Sequence, residues 1–234
     1  MSEVVLELVD VTKSYGGLRP LRIAELTVTA GEQVAIVGID QPVAEVLVNL
    51  MTAASVPDTG TVQVFGRPTT AISDGDDWLN LLDRFGIMAD RAVLLDALSV
   101  IQNLSMPLSL AIEPPADAIR ARATSVAREV ELDPVHDEGA VGGLDGTARA
   151  RVRLGRALAL EPSILLLEHP TATVARPDVK EFGRLVRRVA EQRGVAAVTL
   201  TADRTFAEAA ASRVLSLEAG TGRLTSRRRG WFAR

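Results

Sequence analysis

The sequence predicts an α/β fold in which helices cover a mostly parallel β-sheet. Three observations support this prediction. Short apolar stretches rich in β-branched residues alternate with stretches of helical period from the first residues to about residue 220. Glycine and proline separate many of these stretches. Strands that alternate with helices are typical of sheets whose parallel strands are joined by crossover helices.

The first part of the chain predicts paired strands that lead into a buried strand. The stretches VVLELVDV (4–11) and RIAELTVTAGEQVAIVG (22–38) show strand-like alternation, with Gly31 as a turn. Residues 43–53 carry apolar side chains at helical spacing. GTVQVFG (60–66) is a short strand between two glycines. We therefore expect an antiparallel β-subdomain beside the first strand of the parallel sheet.

The rest of the chain predicts a helical segment followed by a regular βαβ alternation. Residues 95–160 are expected to be mostly helical, and residues 115–132 form the clearest amphipathic segment. SILLLEHP (163–170) is a continuous apolar strand. The next predicted elements are a helix at 178–194 closed by Gly194, a strand at 195–203, a helix at 205–211 and a strand at 213–220. The helical middle is interpreted as an inserted lobe.

The composition narrows the classes of function. The 234 residues are 47% hydrophobic and 24% charged, as in an ordinary globular protein. Cysteine is absent and only two histidines occur, so thiolate metal sites and disulfides are excluded. A formal charge of −4 gives no general attraction to nucleic acid or to an anionic membrane. The longest uncharged run, 97–112, is too short to span a bilayer, and we expect no secretory signal.

The order of several motifs resembles the ATPase subunit of ABC transporters along nearly the whole chain. The motifs are KSYGG (13–17), AIVG before a helix (35–38), GTVQVFGR (60–67), LLDALSVIQNLSMPL (94–108), RVRLGRALALEPSILLLEHPTA (151–172) and RVLSLEAG (213–220). The resemblance is to the lipoprotein-release and lipid-export branch. It implies a P-loop NTPase (RecA-like) core with an antiparallel β-subdomain and a helical lobe.

The resemblance also implies a division of the chain. One domain would cover residues 1–224, with core and β-subdomain at 1–90 and 161–224 and the helical lobe at about 91–160. Residues 225–234 would form a basic and aromatic tail with Arg227, Arg228, Arg229, Trp231 and Phe232. Such a tail either lies against anionic headgroups or an acidic partner, or is a solvated terminus.

The expected phosphate-binding loop lacks the residues that hold a phosphate. A working loop reads G-x-x-x-x-G-K-[ST], and its lysine and hydroxyl contact phosphate and Mg²⁺. Gly38 is kept, but a gapless placement puts Gln41 and Val43 on later glycine positions, Ala44 on the lysine and Glu45 on the hydroxyl. At a distance of 4 Å and an effective dielectric of 20, the repulsion energy between the carboxylate of Glu45 and one phosphate charge would be about 4 kcal/mol.

The same loop residues also have a purely structural explanation. Pro42 supplies no amide donor and suits the first turn of a helix. Asp40 can accept hydrogen bonds from the free amides at the helix start, and acidic residues are favoured there. Helix capping is thus the preferred interpretation of this segment.

The other positions that carry chemistry in the family are altered as well. Glu168 falls on the aspartate that would hold Mg²⁺, and His169 on the glutamate that would polarise water. Asp90 falls on the glutamine of the loop that senses nucleotide, Ala202 on the switch histidine, and Ala175 on the aspartate of the loop after the metal-binding strand. Together these changes predict that hydrolysis is lost.

Tyr15 is a position that the chain retains. It stands where the family stacks an aromatic ring on adenine, although a ring at a strand end is also commonly packing. Stacking contributes about 1–3 kcal/mol, which alone gives no better than millimolar affinity. Tyr15 and Gly38 are therefore the remaining residues of a weak nucleotide site.

The signature segment of the family lies at residues 144–148. Gly146 is kept, but Asp145 replaces the phosphate-facing serine and Thr147 adds a side chain where backbone should approach closely. Leu144 and Ala148 complete the segment. A partner subunit would meet a carboxylate here, so we expect no contribution to a partner's active site. Asp145 is also a suitable helix cap.

The resemblance implies a docking role for the part of the surface that is kept. Residues 93–110 match the family segment that forms the groove for a membrane subunit's cytoplasmic helix, although packing of the lobe also explains their apolar character. We expect a noncatalytic cytoplasmic subunit, peripheral at the inner face of the membrane. It would bind a membrane permease or another ABC ATPase subunit, as a homo- or heterodimer, without nucleic acid.

Two alternatives to a noncatalytic docking subunit stay open. The chain could bind ATP and Mg²⁺ weakly and hydrolyse it with His169 as base. It could instead hold a divalent cation without nucleotide, because Glu45, Asp90, Glu168 and His169 would converge near the family's Mg²⁺ position. No cofactor is expected on the preferred interpretation.

Overall fold

The computed structural model describes residues 3–89 and 91–226. In these residues the predicted α/β fold is confirmed, with one mainly parallel and one antiparallel sheet. No helix in the described ranges combines the length and the apolar character that a membrane crossing requires.

The parallel sheet has six strands in the order β10-β9-β3-β8-β7-β6. Strands β6 to β9 and β3 run parallel, while β10 pairs antiparallel with β9. Every residue of β3, β7 and β8 is buried, as expected for strands covered on both faces. The bounds are β3 Gln33–Val37, β6 Phe85–Met88, β7 Ile164–Glu168, β8 Ala196–Thr201, β9 Arg213–Glu218 and β10 Arg223–Ser226.

The antiparallel sheet forms the predicted β-subdomain and has the order β2-β1-β4-β5. Its central strand β1 pairs with β2 on one side and β4 on the other. The bounds are β1 Val4–Lys13, β2 Leu21–Thr29, β4 Thr59–Val64 and β5 Arg67–Pro68. A hydrogen bond from the amide of Ala24 to the carbonyl of Gly222 joins this sheet to the turn between β9 and β10.

Seven α-helices occur in the described residues. They are α1 Gln41–Met51, α2 Gly75–Leu82, α3 Val100–Ser105, α4 Asp117–Glu129, α5 Gly146–Leu158, α6 Val179–Arg193 and α7 Arg204–Ala210. As predicted, α6 ends at Gly194, which adopts a left-handed conformation with φ 64°. Helix α1 begins two residues before the predicted start at residue 43, because Asp40 caps it.

Helices α3, α4 and α5 lie between β6 and β7 in sequence, and they pack together against the parallel sheet. Their apolar residues belong to the same buried cluster as those of α6, including Leu104, Val126, Leu154 and Leu185. A second cluster holds α1 between the parallel sheet and the antiparallel sheet. The predicted helical lobe therefore shares its core with the rest of the chain.

Ion pairs reinforce the junction between α4 and α6. Nε and Nη2 of Arg193 donate to the two carboxylate oxygens of Glu129, at 2.6 and 2.5 Å. Glu131, just beyond α4, pairs with Arg188 of α6 and with Arg151 of α5. Planar two-point pairs of this kind fix geometry as well as charge.

The predicted tail needs one correction and otherwise stays a prediction. Thr225 and Ser226, its first two residues, belong to strand β10 and pair with β9. Residues 227–234 lie outside the described residues.

Gly86 of β6 allows α5 to lie close to the sheet. A β-carbon at this position would stand 2.1 Å from the carbonyl oxygen of Ala157. Gly86→Ala should therefore lower the free energy of unfolding by about 1–3 kcal/mol, the usual cost of overpacking. Gly143→Ala is the matched control, because a β-carbon there meets nothing within 4 Å. Urea denaturation of both variants measures the difference, and equal midpoints would contradict the packing described.

Candidate functional site

The candidate site lies where β3, β7 and β8 end. In the parallel register Val37 lies beside Thr201, and Glu168 beside Leu200, so the residues that follow these strands meet at one edge. Gly38 follows β3 with φ 79°, and its amide donates to the carbonyl of Thr201 at 3.1 Å. Ligands in open α/β sheets bind at this edge.

Amides in the first turn of α1 are hydrogen-bonded to Asp40 of the same chain. Asp40 accepts a hydrogen bond from the amide of Val43 at 3.0 Å through its side chain, and its carbonyl accepts one from the amide of Ala44 at 3.0 Å. Pro42 has no amide hydrogen to offer. The capping interpretation of this segment is thus what the structure contains, and amides that would cradle a phosphate already have acceptors.

Ala44 and Glu45 lie on different faces of α1. Ala44 is fully buried and packs in the cluster beneath the helix, with Leu47 and Val48. Glu45 is exposed. Ala44, which the gapless placement puts on the lysine position, is therefore a core residue.

Glu168, at the end of β7, is the most constrained charged group of the site. Its side chain is fully buried, and Oε2 accepts a hydrogen bond from Nη1 of Arg91 at 2.5 Å. Its other oxygen, Oε1, accepts from the side-chain amide of Gln41 in the first turn of α1. Both carboxylate oxygens are thus occupied by groups of the same chain. A buried carboxylate needs such partners, since an unpaired buried charge costs several kcal/mol.

The residues present do not fit a nucleotide triphosphate with its metal ion. A phosphate needs free amide donors and a nearby cation after Gly38, yet the amides of Val43 and Ala44 have acceptors and no lysine is present. A metal ion needs accessible carboxylate oxygens, and those of Glu168 bind Arg91 and Gln41. In the described ranges, no three histidine or acidic residues gather closely enough to hold a metal ion. Asp90 of the predicted cation cluster lies outside the described residues.

His169 has an unusual backbone and an unpartnered ring nitrogen. Its φ is 43°, and its amide donates to the carbonyl of Leu200 at 2.9 Å. The Nε2 atom is buried and has no hydrogen-bond partner in the described protein. His169 lines an open groove of about 690 Å³ together with Gln41, Thr201 and Arg176. The ring of His169 therefore keeps unused hydrogen-bonding capacity within the described residues.

Ala202 is followed by Asp203, which caps the start of α7. Asp203 accepts from the amide of Phe206 at 3.1 Å and so caps α7. Its other oxygen pairs with Arg176 at 3.2 Å. Ala202 itself offers no group that could report on a ligand.

The segment at residues 144–148 is packed against its own chain. Asp145 caps α5 by accepting from the amide of Ala148 at 2.7 Å. A β-carbon on Gly146 would stand 1.9 Å from the carbonyl oxygen of Thr173, so the glycine is required by close packing within the chain. Leu144 and Ala148 pack on the buried cluster of the lobe.

Thr147 joins this segment to the loop after β7. Its hydroxyl donates to Asp178 at 2.8 Å, and it accepts from the amide of Ala175 at 3.3 Å. The added side chain of Thr147 therefore has a structural role, and Ala175 contributes its backbone to the same contact.

Tyr15 both packs and lines a groove. Its ring lies against the cluster under α1, and a β-carbon on Gly17 would stand 2.7 Å from it. The groove, of about 720 Å³, extends from Tyr15 to Asp40 and Pro42. The lining of this groove thus includes an aromatic ring, the carboxylate of Asp40 and the side chains of Arg19 and Arg22.

Sequence reasoning missed Arg91, the residue that completes the site. No local sequence signal points to Arg91, because it lies in the link after β6 and pairs with Glu168 at the end of β7, 77 positions away. Gln41 was noted as a degenerate glycine position, and the structure gives it a role as a donor to Glu168.

Comparison with protein families and curated proteins gives consistent matches. The model described as "ABC transporter" matches residues 21–172. The sulfate/thiosulfate import ATP-binding protein CysA of Methylococcus capsulatus is 30% identical over 92% of this chain and 61% of its own length. The lipoprotein-releasing system ATP-binding protein LolD of Bordetella pertussis is 34% identical over 83% of each chain. The methionine import ATP-binding protein MetN of Brucella abortus is 27% identical over 94% of this chain and 58% of its own. The chain spans about three fifths of the two import relatives.

Solved structures give the same fold. The dimeric bacterial ABC transporter cassette MJ0796 superimposes with a TM-score of 0.78 at 24% identity, covering 95% of this chain and 99% of that chain. CbiO1 from Clostridium perfringens, part of the ABC transporter complex cbiONQ, gives a TM-score of 0.80 at 21% identity, over 95% of this chain and 87% of its own. At these identities the likeness concerns the fold.

The ion pair between Arg91 and Glu168 predicts that removing the charge of Arg91 lowers the free energy of unfolding substantially. Arg91→Met leaves the buried carboxylate with Gln41 as its remaining donor. Removing one partner of a fully buried pair costs about 3–5 kcal/mol, and because Arg91 is 43% exposed we expect about 2–4 kcal/mol here. Adding Glu168→Gln to Arg91→Met should recover at least half of the loss, since no charge then remains buried.

Arg184→Met is the matched control for this measurement. Arg184 pairs with Glu181 at 3.1 Å on the exposed face of α6, where an ion pair contributes about 0–1 kcal/mol. Urea denaturation of the unmodified protein, Arg91→Met, the double variant Arg91→Met/Glu168→Gln and Arg184→Met compares their free energies of unfolding. An Arg91→Met variant no less stable than Arg184→Met would contradict the role assigned to the buried pair.

Proposed function

The chain belongs to the ABC transporter family of ATP-binding cassettes, and we propose that it acts as a noncatalytic docking subunit whose ATP binding and hydrolysis are lost or very weak. Its partner would be a membrane permease or another ABC ATPase subunit, at the inner face of the membrane. The relatives named above act in import and in lipoprotein release, so the lipid-export branch stays a prediction.

One observation carries this proposal. The carboxylate of Glu168, on the family position that would hold Mg²⁺, is buried and bound by Arg91 and Gln41. A guanidinium already neutralises the carboxylate, so the site has no unmet need for a cation. Gln41 also ties the start of α1 to the end of β7 through its hydrogen bond to Glu168.

The capped helix starts support the same proposal. A nucleotide at this edge would be held by helix amides and by the positive end of a helix dipole. Here Asp40 accepts a hydrogen bond from such an amide at the start of α1. Asp145 does the same at the start of α5, the segment that would face a partner's nucleotide. A bound triphosphate would have to displace these carboxylates or lie against them, which like charges oppose.

The surface expected to dock a partner is partly exposed and apolar. Val93 is 67% exposed and Leu110 is 90% exposed, while Val100, Ile101 and Leu104 of α3 are buried in the lobe. Packing of the lobe therefore accounts for α3 but not for the exposed apolar side chains that flank it. Such side chains next to a groove are typical of protein interfaces.

Calorimetric titration with ATP, with and without Mg²⁺, tests the loss of nucleotide binding. The proposal predicts no saturable heat up to about 1 mM ATP, which corresponds to a binding free energy weaker than about −4 kcal/mol. Mg²⁺ should make no difference, because Arg91 already neutralises Glu168. A micromolar dissociation constant that depends on Mg²⁺ would overturn the proposal.

A weak nucleotide-binding function is the second candidate, and the groove beside Tyr15 is the observation that favours it. On this account ATP binds through the base alone, with a millimolar constant that is insensitive to Mg²⁺. Tyr15→Ala would then abolish the weak binding, while Arg91→Met would leave it unchanged. Turnover that falls in His169→Ala would extend this candidate to hydrolysis, and equal background rates would exclude it.

A further inference from the structure

A groove between α6 and α7 carries an excess of positive charge. It has a volume of about 520 Å³, and its charged lining residues are Lys180, Arg184, Arg187, Arg188, Glu191 and Glu208. Four cations and two carboxylates leave a formal charge of +2 in the groove, whereas the whole chain carries −4. None of residues 93–110, the expected docking segment, lines it. This cationic groove is therefore a second surface, separate from that segment.

Close packing of the two helices fixes the shape of the cationic groove. A β-carbon on Gly183 of α6 would stand 2.7 Å from the β-carbon of Ala209 in α7, so the glycine lets the helices approach each other. The rings of Phe182 in α6 and Phe206 in α7 are buried and in contact, with centroids 5.7 Å apart. Dense packing of this kind resists rearrangement. The groove is thus formed before a ligand arrives, which lowers the ordering cost of binding.

Lys180 and Arg184 keep free hydrogen-bond donors in the cationic groove. Lys180 lies in the first turn of α6, where the helix dipole disfavours a positive charge, so it does not stabilise the helix start. In the described ranges, 3–89 and 91–226, its ammonium group has neither an ion pair nor a hydrogen bond. Within the same ranges Arg184 contacts Glu181 through Nη1, at 3.1 Å, and its other nitrogens have no partner.

The cations of the groove form a row along α6. Positions 180, 184 and 188 are four residues apart and so lie on one side of the helix. At a rise of about 1.5 Å per residue, Lys180 and Arg188 are about 12 Å apart along the axis. Exposed Thr205 of α7 adds a hydroxyl to the lining. A single phosphate is too compact to contact the whole row, whereas a chain with several carboxylates matches its length.

We propose that the cationic groove binds an acidic, extended segment of a partner protein, whose carboxylates pair with Lys180 and Arg184. Carboxylates on one side of an extended chain recur about every 7 Å, so two of them match the row along α6. The proposal goes beyond the docking function proposed above, because it concerns a different surface and does not depend on the loss of nucleotide binding. A lipid surface fits less well, since the groove is concave and the chain as a whole is negatively charged.

Two fluorescent peptides of about ten residues test the proposal, since either is long enough to cover the row. Both consist of glycine and serine, with Glu at every second position in one and Gln at the same positions in the other. Fluorescence anisotropy at about 50 mM salt, where screening is weak, measures their affinities. The Glu peptide should bind the unmodified protein about tenfold more tightly than the Gln peptide.

The double variant Lys180→Gln/Arg184→Gln should lose most of this preference, because it removes the two cations with free donors. Arg120→Gln/Arg122→Gln is the matched control, since it removes the same number of charges from exposed ion pairs of α4. The control variant should keep the preference for the Glu peptide.

The comparison of the two peptides on the unmodified protein does not depend on any variant folding correctly. Equal affinity for both peptides, no binding of either, or an equal loss of preference in the two double variants would each overturn the proposal. Displacement of the Glu peptide by micromolar inorganic triphosphate would overturn it in favour of a small anion. Binding to phosphatidylglycerol vesicles without a peptide preference would do so in favour of a lipid surface.

A second copy of the chain is the remaining occupant to be tested. A dimer of the unmodified protein that Lys180→Gln/Arg184→Gln dissociates in sedimentation velocity would overturn the proposal in favour of self-association. Tight Mg²⁺-dependent ATP binding contradicts the proposed loss of nucleotide binding but has no bearing on the peptide preference, so failures of the two proposals are distinguishable.

Discussion

The architecture of the site depends on one buried negative charge at the end of β7. The carboxylate of Glu168 is shielded from solvent, so it requires donors within the protein. Arg91 supplies a cation from the link after β6, and Gln41 supplies an amide from the first turn of α1. Three segments distant in sequence are thereby fixed to each other. The buried carboxylate is thereby satisfied by donors of the same chain.

The helix starts follow the same principle. Helices α1, α5 and α7 begin with Asp40, Asp145 and Asp203, and each aspartate accepts a hydrogen bond from an amide of its own helix. Such caps stabilise a helix by about 0.5–2 kcal/mol each and compensate its dipole. A helix start that is satisfied in this way has less to offer an external anion. The proposed loss of nucleotide binding would therefore share its physical origin with the stability of these helices.

Much of the fold could be predicted from local pattern, and the site only in part. Continuous apolar runs predicted β3, β7 and β8, and helical period with Gly194 predicted α6, because these signals act within a few residues. Helix α2 and strands β5, β6 and β10 were missed, since all four are short and β10 depends on pairing with β9. The predicted cation cluster overlooked a local signal: Ala44, Leu47, Val48 and Met51 form the buried face of α1, which places Glu45 on the exposed one. Arg91 could not be found at all from sequence, because its role depends on a contact across 77 positions.

The central claim is that Arg91 and Gln41 hold the carboxylate of Glu168 in place of a nucleotide and its metal ion. A crystal structure grown in millimolar ATP and Mg²⁺ tests this claim most directly. We expect that Arg91 stays within hydrogen-bond distance of Glu168 and that no triphosphate lies along Gly38 to Ala44. A γ-phosphate beside Ala44, with Arg91 displaced and a metal ion on Glu168, would contradict it.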